Sequence, residues 1–317
     1  MRLRNLLAFA CRPAVVSFVA AAVVACGCAA AGGASSSRPG GPIQPLYAYD
    51  PTAITVTGAE NFYADLLHQI GGSYLKVYSF ISDPTADPHL YESNASDART
   101  VADSRLVIEN GLGYDSFVDK LLRASPDPNR VVINVQRLIG AQDGANVHIW
   151  YDPTVMPRVA QAVASSLVDL DPAHAAAYTS NLTTFLDSLK PLNDEVAALK
   201  QRYAGIPVAL TEPVFGYMAD AIGLSVKSPR EFVKAVEEGN DPPSAAMAAE
   251  QDLITGHQVK AVLYNNQTVT KVTTRIKDMA TRNGIPIVGV SETAPPGKTF
   301  QDWQLSQLKD LERALNR

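Results

Sequence analysis

The stretch from Asp171 to Tyr203 constrains this chain more than any other. Leu182, Phe185, Leu189, Leu192, Val196, Leu199 and Tyr203 recur at alternating spacings of three and four, which lays one apolar stripe along a helix. Asp171 supplies an N-cap side chain, and Pro172 suits the first helical position, where its missing N–H costs nothing. A helix over the whole stretch runs roughly 50 Å at 1.5 Å per residue, longer than one small domain needs. Pro191 falls inside the pattern and predicts a kink. The sequence on either side reads as alternating short strands and helices. The stretch therefore predicts a helix joining two lobes; the alternative is one long helix packed on a single domain.

The chain has 317 residues and a formal net charge of −5. That is enough material for a core in one large or two medium domains, and the mild acidity gives no sign of nucleic-acid binding. Arg2, Arg4 and Arg12 precede or flank an apolar run from Ala14 to Ala25. The run is too short to span a bilayer and reads as the core of a secretory signal over residues 1–25. All three cysteines, Cys11, Cys26 and Cys28, fall within the first 28 residues, so the exported domain has no internal disulfide and no thiolate ligand. Residues 26–52 are Ala-, Gly-, Ser- and Pro-rich over much of their length and read as a flexible tether.

Residues 53–169 predict an N-terminal α/β lobe, 170–205 the linking helix and 206–317 a C-terminal α/β lobe. Strands are expected at Ile54–Thr57, Leu75–Ile81, Leu106–Glu109 and Val131–Asn134, then at Ile206–Leu210, Lys260–Tyr264 and Ile285–Val290. Helices fall between them. Such alternation argues for largely parallel sheets covered by helices, with ligands bound beyond the carboxyl ends of the strands.

Five histidines are available. His68 lies within a helix, His174 in the first turn of the long helix and His257 at a helix end, where packing or surface roles are the expectation. His89 and His148 stand apart in Pro-flanked loops with aromatic neighbours. On spacing alone, metal ligation and a structural role are equally open for them. Glu212 and Glu292 each directly follow a strand, either facing a cleft or sitting as helix-start or loop charges. Asn265-Asn266-Gln267-Thr268 is a polar cluster near the cleft or a helix cap. Glu237-Glu238-Gly239-Asn240-Asp241 reads as a solvated acidic connection, and Trp303 as core. His89 and His148 precede the long helix while Glu212 and Glu292 follow it, so a site built from both lobes is the simplest account of the four.

The motifs carry a specific resemblance. Asp87-Pro88-His89-Leu90-Tyr91-Glu92 with Asn110-Gly111-Leu112-Gly113 resembles the first metal motif of the zinc/manganese substrate-binding lipoproteins of bacterial ABC importers, the ZnuA/TroA type. Val147-His148-Ile149-Trp150-Tyr151-Asp152-Pro153 resembles the second motif, and Thr211-Glu212 with Phe215-Gly216-Tyr217 the third. The resemblance runs from about Ile54 to the C-terminus. It implies two parallel-sheet α/β lobes joined by one long helix, with a metal site in the cleft between them. The implied ligands are His89, His148, Glu212 and, where the family usually has Asp, Glu292. No His-rich loop lies between His89 and His148. Val23-Val24-Ala25-Cys26-Gly27 resembles a lipobox, which implies lipidation of Cys26 and an extracytoplasmic domain anchored to the cell membrane. The implied function is not enzymatic: a monomer captures zinc or manganese and delivers it to a permease and its ATPase. Two imidazoles and two carboxylates suit either ion, and the choice between them stays open. A surface adhesin or structural lipoprotein on the same fold is an alternative. A zinc hydrolase is another, since two His and one Glu with an open position can be catalytic, although no His-Glu-x-x-His helix is present.

Overall fold

The computed structural model describes residues 43–85 and 87–317. The expected signal at 1–25, the lipidation site Cys26 and the tether as far as residue 42 lie outside the described residues. The first half runs β1 (Ile54–Glu60), α1 (Asn61–Gly71), β2 (Leu75–Ile81), α2 (Ala95–Asp103), β3 (Leu106–Glu109), α3 (Ser116–Ala124), β4 (Val131–Asn134), α4 (Val135–Ile139) and α5 (Val155–Leu170). Next come α6 (Ala175–Ser188) and α7 (Lys190–Tyr203). The second half runs β5 (Pro207–Leu210), α8 (Gly216–Ile222), β6 (Ser225–Val226), α9 (Arg230–Glu237), α10 (Ser244–Thr255), β7 (Val262–Asn265), α11 (Lys271–Arg282), β8 (Ile287–Val290) and α12 (Phe300–Leu315).

Each half holds a four-stranded parallel sheet, in the order β2-β1-β3-β4 and β6-β5-β7-β8. The central strands β3 (LVIE) and β7 (VLYN) are buried along their whole length, as expected of strands covered by helices on both faces. Gly58 lets α1 lie directly on β1: a Cβ there would sit 2.4 Å from the backbone nitrogen of Ala64. Gly223, at φ 79°, ends α8 in the left-handed conformation that other residues adopt at a cost.

The long helix bends where Pro191 predicts. Leu189 separates α6 from α7, and Pro191 sits at the start of α7, where its ring and missing N–H cannot continue the ladder to the carbonyl of Asp187. Each segment has 14 residues, about 21 Å of helix. Phe185, Leu189, Leu192 and Leu199 of the apolar stripe are buried. α6 packs on α1 and α5, whereas α7 packs on α8 and α12, so the two segments serve different halves. Asp171 differs from its expected role. It precedes a 3-10 turn at Pro172–His174 and makes no side-chain cap bond. Its Oδ2 instead accepts from Tyr178 Oη (2.6 Å) and lies 2.7 Å from His174 Nδ1. His68 stacks on Tyr47 with ring centroids 3.7 Å apart, a packing role like that of His174 on Tyr74.

Candidate metal centre

His89 follows β2 in a loop whose turn is set locally. Pro88 opens a 3-10 turn at Pro88–Leu90, and Asp87 Oδ1 accepts the His89 backbone N–H at 2.9 Å. His148 precedes the 3-10 turn Ile149–Tyr151. Asn146 Oδ1 accepts the His148 backbone N–H at 3.1 Å and lies 2.8 Å from Nδ1. The same Asn146 donates its Nδ2 to the Pro213 carbonyl at 2.7 Å, so its oxygen is the group facing His148. With Nδ1–H donating to Asn146, Nε2 either carries the second proton of an imidazolium or presents a lone pair to a cation.

Glu292 follows β8 and reaches across to the first half. Its Oε2 lies 3.3 Å from His148 Nε2 and 3.4 Å from His89 Nε2. That oxygen also accepts from Tyr114 Oη at 2.9 Å. Glu292 Oε1 accepts from Asn265 Nδ2 at 2.7 Å, and its backbone N–H donates to Gln267 Oε1 at 2.5 Å. Glu212, after β5, shares the same Asn265 amide through its Oε2. Glu212 Oε1 is buried with no hydrogen-bond partner among the described residues. Glu212 makes no cap bond to the turn that follows it; its carboxylate points inward rather than at a helix start. His148 and Glu292 are 0% exposed and Glu212 3%.

The structure thus brings His89, His148 and Glu292 together directly and attaches Glu212 through Asn265. The triads of ligand atoms lying within 4.8 Å of one another are His89–His148–Glu237 and Asp87–His89–Glu292; Glu212 is in neither. Glu237 corrects the sequence reading. It is the last residue of α9, not part of a solvated connection, and its Oε1 lies 3.8 Å from His148 Nδ1. Phe232 and Val236 of α9 are buried and hold that end against the cleft. Their spacing of four was the only sequence signal for this placement. The polar cluster after β7 divides in function: Asn265 and Gln267 hold the site carboxylate, while Thr270 caps α11.

The electrostatics follow from burial and proximity. Burial works against charge on Glu292, but His148 and His89 override it and hold its carboxyl far below the usual range. Burial likewise opposes charge on His89, and the adjacent Glu292 wins, pushing His89 up to about 9. Glu212 is pushed up to about 8 by burial and then by the charge of Glu292. Glu237 is raised by burial against the opposing His148 and His89. The metal-free centre is therefore one carboxylate held by two imidazoles beside a second carboxyl that keeps its proton. His89 Nε2, Glu212 Oε1 and Glu237 Oε1 are buried without hydrogen-bond partners among the described residues. Unsatisfied nitrogen and oxygen atoms of this kind fit a borderline or hard divalent cation. A cleft of about 830 Å³ opens onto this centre, lined by Asp87, His89, Tyr114, Asn146, Val233 and Glu237 among others.

Behind the centre, Trp150 packs on His148 (5.3 Å between centroids) and on Phe62 (4.7 Å). Trp303, expected as core, is 1% exposed and donates its Nε1–H to Ser291 Oγ at 3.0 Å.

Comparison with known proteins agrees with this architecture. The manganese-binding lipoprotein MntA of Halalkalibacterium halodurans is 26% identical over 183 residues, 55% of this chain and 59% of that protein. The iron-binding protein YfeA of Yersinia pestis is 27% identical over 170 residues, 50% of this chain and 53% of that one. The chain thus spans between half and three fifths of the length of these curated relatives. The solved periplasmic zinc-binding protein TroA from Treponema pallidum superposes with a TM-score of 0.72 at 20% identity, covering 84% of this chain and 100% of that one. Residues 56–314 match the family described as zinc-uptake complex component A, periplasmic, and the chain belongs to that ZnuA family.

Proposed function

We propose that this protein captures a divalent transition metal ion, zinc or manganese, outside the cytoplasmic membrane and delivers it to the permease of an ABC importer and its ATPase. The ligand set is His89, His148, Glu212 and Glu292. The protein binds and releases; it is not an enzyme. The observation that carries this reading is the meeting of two imidazoles from the first half with one Glu292 oxygen from the second, at 3.3 and 3.4 Å. An ion at that point would be held by both halves at once. The family membership supports the cargo class, and relatives named for manganese, iron and zinc leave the ion itself open. Anchoring through a lipidated Cys26 is part of the same proposal. Several relatives are named lipoproteins, and among the described residues no helix is long and apolar enough to cross a membrane.

Calorimetric titration of the metal-stripped protein with zinc and with manganese, beside His148→Ala and Glu292→Ala, tests the reading. Tight binding of either ion that is lost in both variants is expected. If neither ion binds tightly to the parent protein, the metal-capture reading fails. Tight zinc with weak manganese would assign a site using its carboxylates one oxygen at a time; comparable manganese affinity would assign an oxygen-rich one.

A further inference from the structure

Of the acidic side chains near the histidines, Asp87 also lines the cleft but spends Oδ1 on the His89 backbone N–H; the three glutamates differ in what they face. Glu292 and Glu212 sit behind the imidazoles, 0% and 3% exposed, and do not line the open cleft. Glu237 lines that cleft together with His89, and the two side chains are 19% and 21% exposed. An ion arriving from solvent meets His89 and Glu237 first. One ligand atom from each of His89, His148 and Glu237 lies within 4.8 Å of the others. Two metal–ligand bonds of about 2.0–2.2 Å at a tetrahedral angle set their ligand atoms roughly 3.3–3.6 Å apart, so side-chain rotation of about an ångström closes the solvent-side ligands on an ion. Glu237 Oε1 is buried without a hydrogen-bond partner among the described residues, and His89 Nε2 has only its 3.4 Å ion-pair contact with Glu292 Oε2. Glu237 ends a helix whose neighbour Glu238 turns away to Lys234 Nζ at 3.5 Å.

Resting on the metal-capture reading above, we propose that Glu237 is an entry ligand. It takes the incoming ion with His89, before the ion moves inward to His148 Nε2, Glu292 and Glu212; Asn146 holds the Nδ1 side of His148 that faces Glu237. A hydrated divalent ion must lose its waters to reach a buried centre, and losing them without replacement is costly. A carboxylate on the solvent side supplies the first replacement. The inner groups then exchange for it, while His89 stays bound throughout. Departure retraces the same steps, so the residue accelerates passage in both directions and leaves the end states nearly unchanged.

Stopped-flow kinetics on the metal-stripped protein with zinc and with manganese, following tryptophan emission and then chelator-driven release, tests this on Glu237→Gln and Glu237→Ala. Glu238→Gln serves as a control with the same charge change. We expect association and dissociation both to slow about tenfold in the Glu237 variants, with Kd within about threefold of the parent. Glu238→Gln should leave both rates alone. Unchanged rates in the Glu237 variants overturn the proposal. Faster dissociation with weaker Kd and unaltered association also overturns it, making Glu237 a resident ligand. Slower association alone, matched by Glu238→Gln, overturns it in favour of long-range electrostatic attraction. If the parent protein binds neither ion, the metal-capture reading itself has failed, which the Glu237 variants alone would not reveal.

Discussion

Metal binding at this centre should expel close to two protons at neutral pH. Below about 9, His89 is an imidazolium held by Glu292, and below about 8 Glu212 keeps its proton. An ion needs the neutral imidazole and the ionised carboxylate, so both protons must leave on binding. At pH 7 each group is nine-tenths or more protonated, giving a release of about 1.9 protons per ion. The sign is the same for both: affinity is lost as pH falls through the raised values. Between pH 8 and pH 6 the two groups together weaken binding on the order of a thousandfold or more. The perturbation that isolates one of them is Glu212→Gln, which removes a titrating group while keeping an oxygen towards Asn265. The proton count at pH 7 should then fall by about one. Calorimetry of zinc binding in buffers of different ionisation enthalpy reads the count directly. Fewer than about half a proton released at pH 7, or an affinity that barely moves between pH 6 and 8, would refute the coupled imidazole–carboxylate centre.

Other expectations are as direct. Asn146→Ala frees His148 Nδ1 and should weaken metal binding about 10–100-fold without unfolding the protein, measured by competition with a chelator. Tyr151→Phe removes a hydroxyl that donates to the Ser291 carbonyl at 2.6 Å and meets Gln307 Oε1 at 2.9 Å. It should cost about 1–3 kcal/mol, a fall of several degrees in Tm by calorimetry. Glu250 is buried beside Ser228, and burial raises it from 4.5 to about 7. The folded state therefore holds this proton more tightly than the unfolded chain, and stability drains away as pH rises from about 4.5 to 7. Glu250→Gln should match the parent near pH 4.5 in urea unfolding and exceed it above pH 7 by at most about 3 kcal/mol.

Periodicity carried most of the architecture. Three- and four-residue spacing placed α6 and α7, and Pro191 marked their junction, because a ring clash inside a helix is a local event. Leu75–Ile81, Leu106–Glu109 and Val131–Asn134 stand where their apolar runs put them. The two-residue β6 was missed: a strand of Ser225 and Val226 has too few side chains for any period, and its pairing with β5 defines it. At the centre, Pro-flanked loops with aromatic neighbours drew attention to His89 and His148, and strand-end positions to Glu212 and Glu292. What sequence could not give was who faces whom. Asn265 as a clamp on two carboxylates depends on β7 lying between β5 and β8. Glu237 depends on where a short helix, packed by Phe232 and Val236, ends relative to a histidine nearly ninety positions earlier. Asp171 departs from the expected N-cap role because Tyr178, about two helical turns on, reaches its carboxylate.

Those same cross-connections bear on how an ion could leave. Asn61 exchanges two hydrogen bonds with the backbone of Ala294, at 2.8 and 3.0 Å. Asp65 accepts from the Phe300 backbone at 2.8 Å, and Tyr151 holds Ser291. Asn146 grips Pro213, and Tyr217 donates back to the Asn146 carbonyl at 3.0 Å. All of these join the two halves, and all but the Asp65–Phe300 bond lie within five residues of Glu292, Glu212 or His148. Swinging the halves apart would break the whole set, and each bond exchanged for water costs about 0.5–1.5 kcal/mol. The sum exceeds the 1–3 kcal/mol that one bound ligand typically couples to a distant change. The bent helix α6–α7, packed on both halves, adds to that resistance. The outer wall is different: the His89 turn and the carboxyl end of α9 meet the cleft with partly exposed side chains and no such bonds between them among the described residues. Release by movement of that wall, with the inner clamp of Asn265 and Gln267 left standing, is the route the energetics favour.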